Sequence, residues 1–229
     1  MNFLKIKNFL LVFLIIFSYL ISVVKTYAVD ITADRTISSS SDGDQYNIKT
    51  NNDIDVIVTN NSTLERNQKI FNVSAASLTG SSITIHLGSS VIAETNSIFS
   101  NGAELTITNT GTIEATNSKA INVSNSDGVS ITNNNNGVIK SNNNTILGDA
   151  GTGADNVTID NSGEIYTTAT GTESSAIVFA NNDTGNTITN NSGGEIYSSG
   201  SESTIVLGVS STLTNSGSIK NNKSVTNKA

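Results

Sequence analysis

A short pattern, Asn-x-Gly-x-Ile, returns five times along the chain. It reads Asn109-Thr-Gly111-Thr-Ile113, Asn135-Asn-Gly137-Val-Ile139 and Asn161-Ser-Gly163-Glu-Ile165, then Asn191-Ser-Gly193 with Gly194 inserted ahead of Ile196, then Asn215-Ser-Gly217-Ser-Ile219. The Asn residues lie 26, 26, 30 and 24 positions apart. A unit this short cannot bury an apolar face alone and must stack on its neighbours. The repeat therefore constrains the chain to a solenoid.

Each repeat carries three short apolar blocks separated by polar turns. The first block precedes the Asn-x-Gly and turns Leu105 and Ile107, Val129 and Ile131, Val157 and Ile159, Ile188, and Leu213 to one side. These residues alternate with polar ones, the period-2 mark of a strand with one buried face. The second block centres on Ile113, Ile139, Ile165, Ile196 and Ile219. The third carries Ile121 with Val123, Ile146, Ile177 with Phe179, and Ile205 with Leu207. Ile98 and Ile70 extend the third block backwards, and Ile83, Ile85 and Leu87 supply an earlier first block. No window after residue 28 keeps the i, i+3, i+4 spacing of an amphipathic helix. Three strands per repeat without a helix predict an all-β fold, a right-handed parallel β-helix of roughly seven coils, since parallel crossovers are overwhelmingly right-handed. At ~4.8 Å per coil the rod is about 35 Å long. About four or five buried aliphatics per coil, at ~1.5–3 kcal/mol each, offset the ordering entropy of a stack but not of one isolated coil.

The corners between strands need residues that tolerate positive φ, which Gly reaches freely and Asn next most easily. Asn side chains stacked in successive coils can also bond along the column as a ladder. Disordered tracts share this richness in Asn, Ser, Thr and Gly but lack phased Ile and Val. The extra residues at 148–156 and 168–173 fall between blocks, where loops leave a coil without breaking its core.

Residues 1–28 read as a secretory signal peptide: Lys5 and Lys7, an apolar run from Phe9 to Val24, then Thr26-Tyr27-Ala28 with small residues before the cut. The run is shorter than the ~20 residues of a spanning helix. Residues 29–52, rich in Asp and Ser, are expected to form an N-terminal cap or lead-in, and 53–229 the repeats. Loss of 1–28 removes Lys5, Lys7 and Lys25 but no acid, so the net charge moves from −7 to −10. A surface this acidic repels nucleic acid and anionic membranes. With no Cys there is no disulfide framework and no thiolate metal site. With no Pro, long ladders keep every donor.

The export segment and the runs Thr106-Ile-Thr-Asn-Thr-Gly-Thr-Ile113, Val157-Thr-Ile-Asp-Asn-Ser-Gly-Glu-Ile165 and Thr212-Leu-Thr-Asn-Ser-Gly-Ser-Ile219 resemble the passenger region of bacterial autotransporters and related β-helical surface adhesins. The resemblance covers about residues 53–229. It implies a non-catalytic passenger or stalk on the outer surface of a Gram-negative cell, with an adhesive or structural role and a surface glycan or protein as partner. It also implies a C-terminal membrane barrel, whose aromatic girdles and ~10-residue strands this sequence does not contain. A reading frame that continues beyond Ala229 is therefore expected.

Candidate chemistry is sparse, and no catalytic, metal or cofactor-binding residue is assigned. His86 is the one histidine, set between Ile85 and Leu87, and points outward by alternation. Glu164 and Glu195 follow the repeat glycines and fall near each other, but a glycosidase-type pair needs a supporting cluster. Gly151-Thr-Gly153-Ala-Asp155-Asn-Val157 matches part of a calcium repeat that requires tandem copies. Asp42-Gly-Asp44 and Asp53-Ile-Asp55 are common turn and strand patterns. The same alternation sets out two outward hydroxyl columns through Thr106 and Thr108, Ser130 and Thr132, Thr158 and Asp160, Thr187 and Thr189, and Thr212 and Thr214. They resemble the threonine faces of ice-binding solenoids, although Thr also favours any exposed strand. A secreted β-helical carbohydrate-active enzyme and a threonine-face ligand or ice binder are the alternatives to the surface module.

Overall fold

A computed structural model describes residues 28–49, 53–59, 61–74, 79–102, 104–148 and 153–221. The expected signal segment, apart from Ala28, lies outside the described residues. The described residues form a right-handed parallel β-helix. Three eight-stranded sheets run along the rod, and each takes every third strand of the chain. Coil 1 consists of Ala28–Ile31, Arg35–Ile37 and Ser41–Asp42; coil 8 consists of Ile205–Val206, Thr212–Asn215 and Ser218–Asn221. There are thus eight coils where the repeat count predicts roughly seven, because strands of coils 1 and 2 already lie within residues 28–48.

The expected apolar blocks form columns by in-register pairing. In the second sheet Val56, Ile83, Ile107, Ile131, Ile159, Ile188 and Leu213 stack directly on one another. The third sheet aligns Leu64, Val91, Ile113, Ile139, Ile165, Ile196 and Ile219 in the same way. From Val56 to Ile188 every member of the first column is fully buried, whereas Leu213 in the last coil is 38% exposed. Two sequence expectations are corrected. Leu87 does not continue the Ile83–Ile85 strand: it sits in a turn closed by Gly88 at φ 80°, is 62% exposed, and leaves the buried position to Ser89. In the first sheet Ile98 pairs with Phe71 rather than Ile70; Ile70 is also fully buried, one place earlier, at the corner.

The asparagine ladder exists, but two of its members differ from the motif. The in-register column is Asn109, Asn133, Asn161, Asn190 and Asn215. Asn135 and Asn191 match the motif spacing yet lie in corners two residues longer, so the strand-ending Asn133 and Asn190 take the ladder positions. Each side-chain amide donates to the Oδ1 of the next coil, at 2.9, 2.8, 2.8 and 2.8 Å in turn. The same Nδ2 groups reach corner carbonyls, as Asn133 does to Gly137 O at 3.2 Å and Glu164 O at 3.1 Å. Asn109 to Asn190 are fully buried. In coils 1 to 3 the same column is Ile37, Val58 and Ile85, so Asn109 sits against an aliphatic neighbour. Its own corner solves the mismatch, since Gly111 N–H donates to Asn109 Oδ1 at 3.1 Å.

The repeat glycines serve space rather than conformation. Positive φ occurs at Asn136 (72°) and Gly193 (89°), within the two longer corners. Gly111, Gly137, Gly163, Gly194 and Gly217 are not in that region, but a Cβ on any of them would penetrate carbonyl oxygens of the coil below or of its own corner. At Gly163 it would strike the carbonyls of Gly137 and Asn134.

Gly163→Ala is therefore expected to lower unfolding free energy by about 1–3 kcal/mol in denaturant titration. Gly171→Ala, whose added methyl meets nothing within 4 Å, should stay within about 0.5 kcal/mol of the parent. Asn161→Ala leaves the Asn190 acceptor without its donor, whereas Asn133 Nδ2 keeps the Gly137 and Glu164 carbonyls, at a cost of about 1–3 kcal/mol. Asn161→Asp should be worse at neutral pH, because a carboxylate cannot donate to Asn190 Oδ1. That extra loss is smallest below the ordinary Asp pKa of ~3.9 and grows as pH rises through the elevated pKa of the buried acid.

Candidate functional site

With every rung paired to the next, function is left to the outward columns and to the corners. The second sheet carries the expected hydroxyl face, and the register extends it by one coil. Ser82, Thr106, Ser130, Thr158, Thr187 and Thr212 form one column. Thr84, Thr108, Thr132, Asp160, Thr189 and Thr214 form the other. Asp160 interrupts the second column and accepts a hydrogen bond from Asn191 Nδ2.

The outer face of the third sheet is chemically richer. One column runs Glu65, Ile92, Glu114, Lys140, Tyr166, Tyr197 and Lys220. Lys140 Nζ lies 2.9 Å from Glu114 Oε2, and Tyr166 and Tyr197 stack with centroids 4.5 Å apart and planes 7° from parallel. The hydrogen bond from Lys140 to Glu114 raises the lysine pKa above its ordinary value. Burial, followed by the neighbouring Tyr166 and Glu164, pushes the Tyr197 hydroxyl up, so that phenol stays neutral at physiological pH. The tyrosines were not singled out from the sequence, although the signal is there: Glu164-Ile-Tyr166 and Glu195-Ile-Tyr197 repeat after the glycine in successive coils.

Glu164 and Glu195 are direct register partners, as their spacing predicts. Each has a partner of its own: Tyr197 Oη donates toward Glu164 Oε2 at 3.5 Å, and Lys220 Nζ lies 3.4 Å from Glu195 Oε1. His86 is exposed, with Nδ1 3.2 Å from Thr59 Oγ1. In the calcium-like segment, residues 151 and 152 lie outside the described residues. Asp155 Oδ1 accepts Thr184 N–H at 2.7 Å and Thr184 Oγ1 at 2.9 Å, so it joins adjacent coils. Asp55 Oδ1 likewise accepts Ser82 Oγ at 2.6 Å. Among the described residues, no group of three or more His, Asp or Glu is placed to hold a metal.

Two hollows flank the third-sheet column on the side of the following corner. The larger, about 490 Å³, lies over coils 2 to 4 between Glu65 and Ile92 on the sheet and Asn67, Glu94 and Asn117 on the corners. The smaller, about 280 Å³, lies over coils 4 to 6 among Glu114, Lys140, Tyr166, Asn142 and Thr168. Thr116 lines both. Beyond them the inserted loop at 168–173 folds back along the rod. Glu173, which ends it at φ 56°, takes hydrogen bonds from Asn143 Nδ2 one coil away at 2.7 Å and from Lys119 Nζ two coils away at 3.2 Å. The Asn143 bond and then Lys119 hold its carboxyl below the usual glutamate range.

Comparison of the chain with protein-family models, with curated proteins and with solved structures finds no match.

A depressed carboxyl pKa means that the Glu173 anchor is intact above the ordinary glutamate pKa of ~4.3 and is lost as pH falls through the depressed value. Amide hydrogen exchange of residues 168–174, corrected for intrinsic pH dependence, should lose protection across that acidic window. Glu173→Gln should show weaker protection already at pH 7 and no such transition.

Proposed function

We propose that this chain is an exported, non-catalytic surface solenoid, a passenger or stalk with an adhesive or structural role at the outer surface of a Gram-negative cell. The observation that carries the reading is the uninterrupted stack. Eight coils in three continuous sheets make a rod whose interior is closed and whose walls present outward side-chain columns at a fixed rise. Such a rod holds a contact surface away from its point of attachment, and its many small interfaces add up along one dimension. The export-like N-terminus and the acidic charge support presentation outside the cell, with nucleic acid disfavoured as a partner. The partner of this reading is a surface glycan or protein. Attachment to the outer membrane would be through a barrel beyond the repeats.

The test is the native location. In fractionated producing cells, antibody against the coils should find the antigen in the outer-membrane fraction, and protease added to intact cells should remove it. Retention of the whole antigen inside protease-treated intact cells would defeat the proposal.

The register favours a second reading, in which the second sheet binds an ordered surface such as ice. Hydroxyl pairs recur over six coils at the ~4.8 Å strand spacing, with only Asp160 breaking the pattern. Thermal hysteresis in the purified protein, abolished by Thr108→Tyr with Thr132→Tyr, is the expected result. Its absence in the parent protein eliminates this reading.

A further inference from the structure

We infer that the groove along the third sheet is a binding site for a neutral, hydroxyl-rich saccharide chain laid parallel to the rod axis. The inference deepens the surface-solenoid reading and rests on it for where the protein would meet such a polymer. Two hollows of about 490 and 280 Å³ share Thr116 in their walls, so they lie end to end over coils 2 to 6. Its cause is local. Ala93, Ala115 and Ser141 are the last inward residues of three successive strands, and the chain turns there. The sheet column then forms one bank, and the corner side chains form the other.

The lining chemistry selects the ligand. On the corner bank Asn117 Nδ2 donates to Glu94 Oε1 at 2.9 Å, which joins an amide and a carboxylate in adjacent coils. Such pairs offer donors and acceptors side by side, as vicinal sugar hydroxyls require. Glu65 and Glu94 disfavour an anionic polymer, the Arg66 guanidinium in the larger hollow already donates to Gln45 Oε1 at 2.6 Å and Lys69 O at 2.8 Å, and the lysine at the far end, Lys140, is already paired with Glu114. A strand-adding peptide has no edge to use, because the strands of coils 3 to 5 are paired on both sides. Tyr166 closes the site. One face of its ring is covered by Tyr197, Lys140 is its register neighbour in coil 5, and the residue lines the smaller hollow. A pyranose entering there meets the exposed edge of the tyrosine ring beside the Glu114–Lys140 pair. Because the coils rise by ~4.8 Å, equivalent positions recur at a regular interval that suits a repeating polymer.

The test is native affinity electrophoresis of the protein purified from its own cells, in gels containing dextran, glucomannan or polygalacturonate. Retardation by dextran or glucomannan is expected. The apparent Kd should rise about tenfold in Glu94→Gln and in Tyr166→Ala, the loss of one hydrogen bond to a charged group or of one ring contact. Thr189→Ala, on the second sheet, should leave it unchanged. Circular dichroism of each variant checks that the coils persist, and Glu94→Gln, exposed and isosteric, keeps the test valid if Tyr166→Ala unfolds. No retardation by either neutral polymer overturns the inference, as does retardation that both groove variants leave intact. Binding to polygalacturonate alone also overturns it. These results concern the purified protein, so they leave the cell-location test untouched, and a failed location test does not alter them.

Discussion

The structure depends on one constraint, the direct stacking of each coil on the one below without a register shift. Parallel pairing at a common rise brings like residues face to face at every position, so each column must be compatible with itself. Aliphatic columns meet that condition through packing. The asparagine column meets it because an amide is both donor and acceptor, and a row of them can be satisfied in one direction along the rod. A single asparagine among isoleucines would strand a buried amide at a cost of about 1–3 kcal/mol. The change of column type at Asn109 is tolerated because the Gly111 N–H meets the otherwise unpaired Oδ1.

The same stacking explains the glycines. At the corner between the second and third sheets the backbones of successive coils come close, and the glycine hydrogens leave room for the carbonyls beneath. Asparagine and glycine thus act as a pair: the amide ties the corners together from inside, and the missing side chain lets them approach. Two corners carry two extra residues, and both use a positive φ, Asn136 in one and Gly193 in the other, to return to the same glycine position. The insertion is absorbed in the turn, and the ladder stays continuous.

Outside, the columns give the rod its chemical character. The second sheet presents hydroxyls, whereas the third combines acids, lysines and a tyrosine stack. The outward columns tolerate variety because water screens and solvates them, and like neighbours such as Glu164 and Glu195 coexist by taking separate partners. The groove arises where the sheet bank and the corner bank rise on either side of small inward residues. Its composition varies along its length as the outward column changes from Glu65 to Tyr166.

Much of this was legible in the chain. Alternation in Leu105–Ile107, Val129–Ile131 and Val157–Ile159 identifies buried strand faces, and the recurring Asn-x-Gly-x-Ile identifies the solenoid. The outward hydroxyl columns follow from the same alternation. Local pattern could not choose between Asn133 and Asn135, or between Asn190 and Asn191, because both members of each pair are asparagines near a turn; only pairing across coils 24 to 29 residues apart selects one. It placed Leu87 inside because hydrophobicity says nothing about where a strand ends. The sequence by itself determined the repeat, the strand faces and the need to stack, since these follow from short-range periodicity and the cost of exposed apolar surface. The tertiary structure decided the ladder membership, the steric role of the glycines, the tyrosine stack and the groove. Each of those is a contact between coils, set by a register that no single repeat contains.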